Sequence, residues 1–230
     1  FMQQLEGVVT DNIKPDYIDS YAKWMDDKEE AKLYSESQHA GSLGPGRSLA
    51  RMIDFSGVDH LLDVAGGTGG LAIRLCQANP NLRVTIIDFP HVVSLGKEKV
   101  KEAGLSDRIS FIGDNALEYN WPTDVDAVLM SYLYNGVPGE SIPELARKAY
   151  SIMKPGGIYV VHDFMVENDR SGPHLAALWQ LQHLAFTPTA KSITPSWVSG
   201  VMQDAGFLEI KEKVLIPGMT KVLWGKKSTK

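Results

Sequence analysis

The stretch His60–Pro90, HLLDVAGGTGGLAIRLCQANPNLRVTIIDFP, decides the fold. It opens on an apolar run, Leu61-Leu62-Asp63-Val64, of the kind that makes a strand buried on both faces of a parallel sheet. A glycine cluster follows at once, and then Leu71, Ala72, Leu75 and Cys76 recur at helical spacing. A second apolar run, Val84-Thr85-Ile86-Ile87, ends in Asp88 and completes a βαβ unit. This is the layout of a nucleotide-type cofactor site. Glycines let the backbone approach a ligand, and an acidic residue beyond the second strand accepts hydrogen bonds from ribose hydroxyls.

Two cofactor classes use similar turns, so the glycine spacing matters. A dinucleotide turn reads G-x-G-x-x-G, whereas this chain has Ala65-Gly66-Gly67-Thr68-Gly69-Gly70. Counted from Asp63, the frame is D-x-A-x-G-x-G, similar to the D/E-x-G-x-G-x-G turn of methyltransferases that use S-adenosylmethionine (SAM). Ala65 stands where that pattern has its first glycine. The ligands differ as well, because a dinucleotide presents a pyrophosphate to the helix N-terminus and SAM has none.

Composition narrows the classes further. At 230 residues, the chain suffices for one well-buried α/β domain with additions. It opens on Phe1 rather than an initiator methionine, which suggests a fragment or a trimmed chain. Charged residues are 22%, hydrophobic ones 43%, and the net charge of -5 argues against nucleic acid as a partner. The single cysteine, Cys76, excludes an internal disulfide and reads as a core residue. No C-x-x-C or H-E-x-x-H spacing suggests a metal, and no apolar run approaches the ~18 residues of a membrane span. The expectation is a cytoplasmic protein with a small-molecule acceptor.

Outward from the central stretch, Pro15–Leu33 reads as a helix, with Tyr17, Ile18, Tyr21, Trp24 and Met25 on one apolar face. Tyr34–Arg47 is polar and glycine-rich, a connecting loop or a lid over the site. Residues 1–55 are therefore taken as an N-terminal helical segment with a lid, and 56–230 as the cofactor-binding domain. Further strands are expected at Arg108–Ile112, Val125–Met130 and Ile158–Val161, with a closing hairpin near Leu208–Val214 and Lys221–Trp224. Helices are expected from Pro90 to Glu102, Ser141 to Met153, Leu175 to Phe186, and Thr194 or Pro195 to Ala205. The third strand ends in Gly113-Asp114-Asn115, where a carboxylate or amide could receive the adenine amino group.

From Leu61 to Trp224 the chain resembles the class I SAM-dependent methyltransferases, and within them the small-molecule O-methyltransferase family of plants and bacteria. The residues that carry the resemblance are DVAGGTGG at Asp63–Gly70, IIDFPHV at Ile86–Val92, GDN at Gly113–Asn115 and MKPGG at Met153–Gly157. It implies a Rossmann-like seven-stranded α/β sheet flanked by helices, with the last strand antiparallel. It implies SAM as the cofactor, held by Asp63, Ala65, Gly66, Gly67 and Gly69 at the turn, by Asp88 and Phe89, by Gly113, Asp114 and Asn115, and by Ser131. Members usually carry an N-terminal dimerisation domain, absent here or reduced to the first helices, and a homodimer is left open.

One departure bears on the chemistry. That family supplies a histidine as general base, and if it belongs after the fourth strand, Asn135 stands in its place. An amide is no base near neutral pH. Either His162, His183 or His39 takes the proton, or the acceptor has none to lose, as with a thioether. Gln38–Pro45, QHAGSLGP, faintly resembles enzymes that methylate the sulfur of methylthiohydroxybutyrate. The expected catalytic group is Tyr134, Asn135, His162 and His183, and the expected acceptor pocket is Tyr34, Gln38, His39, Tyr132 and Trp179. The competing readings are oxygen methylation with another histidine as base, a module that holds SAM without catalysis, and a nicotinamide dehydrogenase.

Overall fold

The computed structural model describes Thr10, residues 28–184 and residues 186–229. Its elements in chain order are α1 (Lys28–Met52), β1 (His60–Val64), α2 (Gly70–Ala78), β2 (Arg83–Asp88), α3 (Pro90–Glu102), β3 (Ile109–Gly113) and β4 (Val125–Ser131). They continue with α4 (Ile142–Ile152), β5 (Met153–Asp163), α5 (His174–His183), α6 (Pro195–Asp204), β6 (Leu208–Ile216) and β7 (Thr220–Lys226). The strands form one seven-stranded sheet in the order β3-β2-β1-β4-β5-β7-β6. Neighbours from β3 to β5 are parallel, and β7 runs antiparallel to both β5 and β6.

The strand sequences explain the layering. Along β1, β4 and β5 alternate residues feed opposite faces: Leu62, Val64, Val128, Met130 and Val161 join one core with α4 and α6. Leu61, Ala127, Leu129 and Val160 join the other with α1 and α2. Leu61, Leu62 and Leu129 are fully buried, each contributing about 2 kcal/mol of apolar burial. The chain winds outward from β1 through β2 to β3 and then returns to β4 on the other side of β1. That reversal leaves a crevice at the carboxyl ends of β1 and β4, where such sheets place their ligands.

Several elements differ from their sequence reading; β5, for one, begins at Met153 rather than Ile158. Tyr34–Arg47 is not a loop; it lies within the continuous helix α1, Gly41, Gly44, Pro45 and Gly46 included. Tertiary packing is the reason. A Cβ at Gly46 would lie 2.9 Å from the Leu71 Cα, and one at Gly70 would lie 2.8 Å from the Ser42 Cβ, so α1 and α2 cross too closely for larger side chains. Pro45 forfeits one helical hydrogen bond and is buried, beside Gly46 at the crossing with α2. The helix expected from Pro15 falls on residues outside the described ones, except for 28–33, which begin α1. The helix expected to reach Phe186 ends at His183.

Candidate active site

A cavity of about 600 Å³ opens at the switch point. Its floor is the turn between β1 and α2. Ala65 there holds a left-handed backbone at φ 56°, followed by Gly67 at 60° and Gly69 at 82°. An L-residue in that region carries strain of order 1 kcal/mol, so Ala65 fills a place that suits glycine and stays there because its N–H donates to the Ile87 carbonyl at 2.8 Å. Gly66 is constrained from below: a Cβ would lie 2.5 Å from the Asp63 carboxyl carbon.

Asp88 closes the second strand against this turn. Its Oδ2 accepts from the Gly67 N–H at 2.7 Å and its Oδ1 from the Phe89 N–H at 2.8 Å. Burial pushes its pKa up to about 6, while those two donors pull the other way. At pH 7 it is ionised, and each oxygen keeps lone-pair capacity for a further donor. Asp63 lies behind the turn, wholly buried, and among the described residues neither carboxyl oxygen has a hydrogen-bond partner. Burial, then the nearby Asp88 charge, push it up to about 8, so at neutral pH it is protonated.

The far wall combines two loops. Ser131 ends β4 and Tyr132, Leu133, Gly136, Val137 and Pro138 follow it; His183 ends α5 and Phe186, Thr187, Pro188 and Thr189 follow it. The loops are tied together by the Thr187 hydroxyl, which donates to the Gly136 carbonyl at 2.8 Å, and by the Gly139 N–H, which donates to the Thr189 carbonyl. Tyr34, Ser35, Gln38 and Ser42 of α1 form a third side. Phe89, Val92 and Leu117, with Asp114 and Asn115, line the end beyond β2 and β3. Among the described lining residues, the charged ones are Asp88, Asp114 and Glu118, with no lysine or arginine.

Of the residues singled out from sequence, the cavity brings together Ala65, Gly66, Gly67, Asp88, Phe89, Asp114, Asn115, Ser131, Tyr34, Gln38, Tyr132 and His183. The others sit elsewhere. Tyr134 is fully buried in the core, its hydroxyl 2.5 Å from that of Tyr159. Asn135 is buried with its amide donating to Asp163 Oδ1 at 2.5 Å and the Phe164 carbonyl at 2.9 Å. His162 is fully buried between Ser131 and Thr220, and burial drives its pKa down to about 3. None of these three lines the cavity: Tyr134 and Asn135 turn inward after β4 and His162 points inward from β5, each held by hydrogen bonds within the protein, with Asn135 Oδ1 left without a partner among the described residues. His39 bonds Thr68 Oγ1 at 2.8 Å and pins α1 to the turn from outside. Trp179 stacks on Phe164 with ring centroids 4.5 Å apart. Asp63 lies beneath the turn, Gly69 ends it facing Ile86 and Phe111, and Gly113 pairs with Asp88 in the sheet.

His183 is therefore the imidazole that lines the cavity. Burial lowers its pKa to about 4, so it is neutral at physiological pH. The loop expected at Thr187–Ile193 was not expected to line the cavity, since Phe186–Thr189 carries no motif and only tertiary hydrogen bonds bring it to Gly136 and Gly139.

Strand order, switch-point cavity and acidic second-strand end together define the Rossmann-like fold of class I methyltransferases. The chain belongs to the O-methyltransferase domain family, whose description matches residues 16–208 and whose members take their methyl group from SAM. It is 28% identical over 229 residues to a 3-hydroxy-5-methyl-1-naphthoate 3-O-methyltransferase of Streptomyces sahachiroi, covering 99% of this chain and 66% of that protein. It is 29% identical over 205 residues to an L-tyrosine C(3)-methyltransferase of Streptomyces lavendulae, covering 88% and 56% respectively. Human N-acetylserotonin methyltransferase in complex with SAM shares the fold with a TM-score of 0.85 at 21% identity, over 99% of this chain and 66% of that one. The chain thus spans about two thirds or less of the length of these relatives. Among the described residues no helix is long and apolar enough to cross a membrane, and no cluster of side chains could hold a metal ion.

Proposed function

We propose that this chain binds SAM in the switch-point cavity and transfers its methyl group to a hydroxyl of a small-molecule acceptor. The single observation that carries the cofactor half is Asp88, an ionised carboxylate fixed by two backbone donors, with both oxygens still able to accept from vicinal ribose hydroxyls. The rest of the cavity fits the same ligand. Asp114 and Asn115 lie beside Phe89 and Leu117, a polar and apolar setting for an adenine, and the volume suits one cofactor with a small acceptor. A cavity whose charged residues are all acidic favours a cationic sulfonium and offers a pyrophosphate no cation, which weighs against the nicotinamide reading. When bound, SAM supplies an electrophilic methyl group.

The chain's own work is to position the acceptor and take its proton. Tyr34, Gln38 and Tyr132 line the acceptor side, and His183 is the base. An imidazole with a pKa near 4 deprotonates little in the ground state. The hydroxyl proton becomes strongly acidic only as the oxygen gains its methyl group, and at that moment such a base suffices. This assignment leaves Asn135 a structural role and removes the need for an acceptor without a proton. Sulfur methylation is therefore the weaker reading, and the names of the two curated relatives above point to oxygen and carbon acceptors. Incubation with SAM and a panel of phenols, hydroxy acids and thioethers, read by mass spectrometry, tests the proposal. Methylated phenols with no fixed charge support it, and sulfonium products overturn the choice of oxygen.

A further inference from the structure

We propose that His162 is a positioning residue: held by Thr220 as the Nδ1–H tautomer, it makes the Ser131 hydroxyl a hydrogen-bond donor toward the cavity, where it meets the carboxylate of the cofactor's methionine end. The inference rests on the cavity being the SAM site. Its starting point is a buried polar chain. His162 Nδ1 is 2.8 Å from Ser131 Oγ, and His162 Nε2 is 2.9 Å from Thr220 Oγ1. The imidazole is shut off from solvent and neutral across the working range, so one ring nitrogen carries a proton and the other a lone pair.

Hydroxyl satisfaction decides which nitrogen is protonated. Thr220 is 1% exposed, and among the described residues its hydroxyl has His162 Nε2 as its partner. Were Nε2 protonated, Thr220 would accept from it and its own hydroxyl proton would be buried without an acceptor, which native interiors avoid. With the proton on Nδ1, Thr220 donates to Nε2 and Nδ1–H donates to Ser131 Oγ. The Ser131 proton then turns away from the histidine. Ser131 lines the cavity, so that proton is offered to whatever binds there. The direction of a buried hydroxyl on β7 thus fixes the direction of one in the site.

Register identifies the recipient. Val64 pairs with Met130, which puts Ser131 one step further along, beside Ala65 and the turn. That is the crevice between β1 and β4, away from the ribose acceptor Asp88 and the Asp114–Leu117 end. A carboxylate bound there finds no lysine or arginine among the described lining residues and must be held by neutral donors. A serine preset as a donor meets that need. His162 also accepts from the Tyr132 N–H through its carbonyl at 2.8 Å and packs edge-on against the Tyr132 ring at 4.6 Å, so it props two neighbouring lining residues.

The test has a spectroscopic arm and a binding arm on the full chain. In ¹⁵N-histidine-labelled protein, the His162 signals, identified by their loss in H162N, are expected to show a pyrrole-type Nδ1 and a pyridine-type Nε2. A pyrrole-type Nε2 overturns the proposal. By calorimetry, S131A is expected to weaken SAM about tenfold and decarboxylated SAM by less than about twofold, since only SAM has the charged acceptor. Equal losses for both ligands overturn the carboxylate assignment. H162N keeps a donor near the Nδ1 position and is expected to hold affinity within about threefold, while H162L falls with S131A. Equal loss in H162N and H162L overturns the role of the histidine, and S131A with the ¹⁵N signature decides the matter if H162L does not fold. Wild-type protein that binds neither ligand refutes the site reading instead, with the tautomer still read in the free protein.

Discussion

Replacing Gly66 with alanine tests the floor of the cavity. The added Cβ would lie 2.5 Å from the Asp63 Cγ and 2.6 Å from its Oδ2, where ordinary contact begins near 3.4 Å. The shortfall is roughly 1 Å, the difference between those separations. Asp63 cannot give way, because it is wholly buried on β1 with core on both faces of the sheet. The turn must lift instead, toward the cavity and away from Asp88. Overpacking of this kind costs about 1–3 kcal/mol, so Tm falls by about 2–12 °C. Cofactor affinity is expected to fall about 10- to 100-fold, since the Gly67 N–H that fixes Asp88 moves with the turn. Differential scanning fluorimetry and calorimetry with S-adenosylhomocysteine read both effects. The double variant D63A/G66A removes the obstruction and is expected to recover most of the affinity that G66A loses. If G66A binds within about twofold of wild type, or D63A/G66A gains nothing, the turn is not set from below as described.

Three further outcomes follow from the ionisable groups. Asp88, with a pKa of about 6, must be ionised to accept from two ribose hydroxyls with both oxygens, so SAM affinity is expected to hold above pH 6 and decline below it; calorimetry from pH 5 to 8 showing a flat profile would contradict this. H183N is expected to lower kcat about 10²- to 10⁴-fold with little change in SAM affinity, and an unchanged kcat in a coupled assay for S-adenosylhomocysteine would remove His183 as base. The buried carboxyls of Asp63, Asp163 and Asp88 are raised from 3.8 to about 8, 7 and 6. Each binds its proton more tightly folded than unfolded, so stability falls as pH rises through those values. Tm is therefore expected to be higher at pH 6.5 than at pH 8.5, and a rise in Tm over that interval would refute the assignment.

The fold was legible because parallel strands buried on both faces read as continuous apolar runs, and those at Leu61–Val64, Val84–Ile87 and Val125–Met130 are strands in the structure. The wall of the cavity at the ends of β1, β2 and β3 was legible for a related reason. Its residues are consecutive in sequence at strand ends, so Ala65–Gly67, Asp88–Phe89 and Asp114–Asn115 reach one cavity by geometry local to each strand. The opposite wall was not. Tyr134, Asn135 and His162 have the side chains of chemistry, yet each is hydrogen-bonded inside to a partner 25 to 58 positions away, Tyr159, Asp163 and Thr220. The glycines of Gly41–Gly46 signal a loop by propensity, and the close crossing of α1 over α2 overrides it.

Titration of the wild-type chain with S-adenosylhomocysteine, beside D88A and beside a parallel titration with NAD, tests the central claim most directly. The expected result is saturable one-site binding, a loss of at least about tenfold in D88A, and no binding of NAD. Saturable binding of NAD, or no heat with either adenosyl ligand in the wild-type chain, would contradict the account.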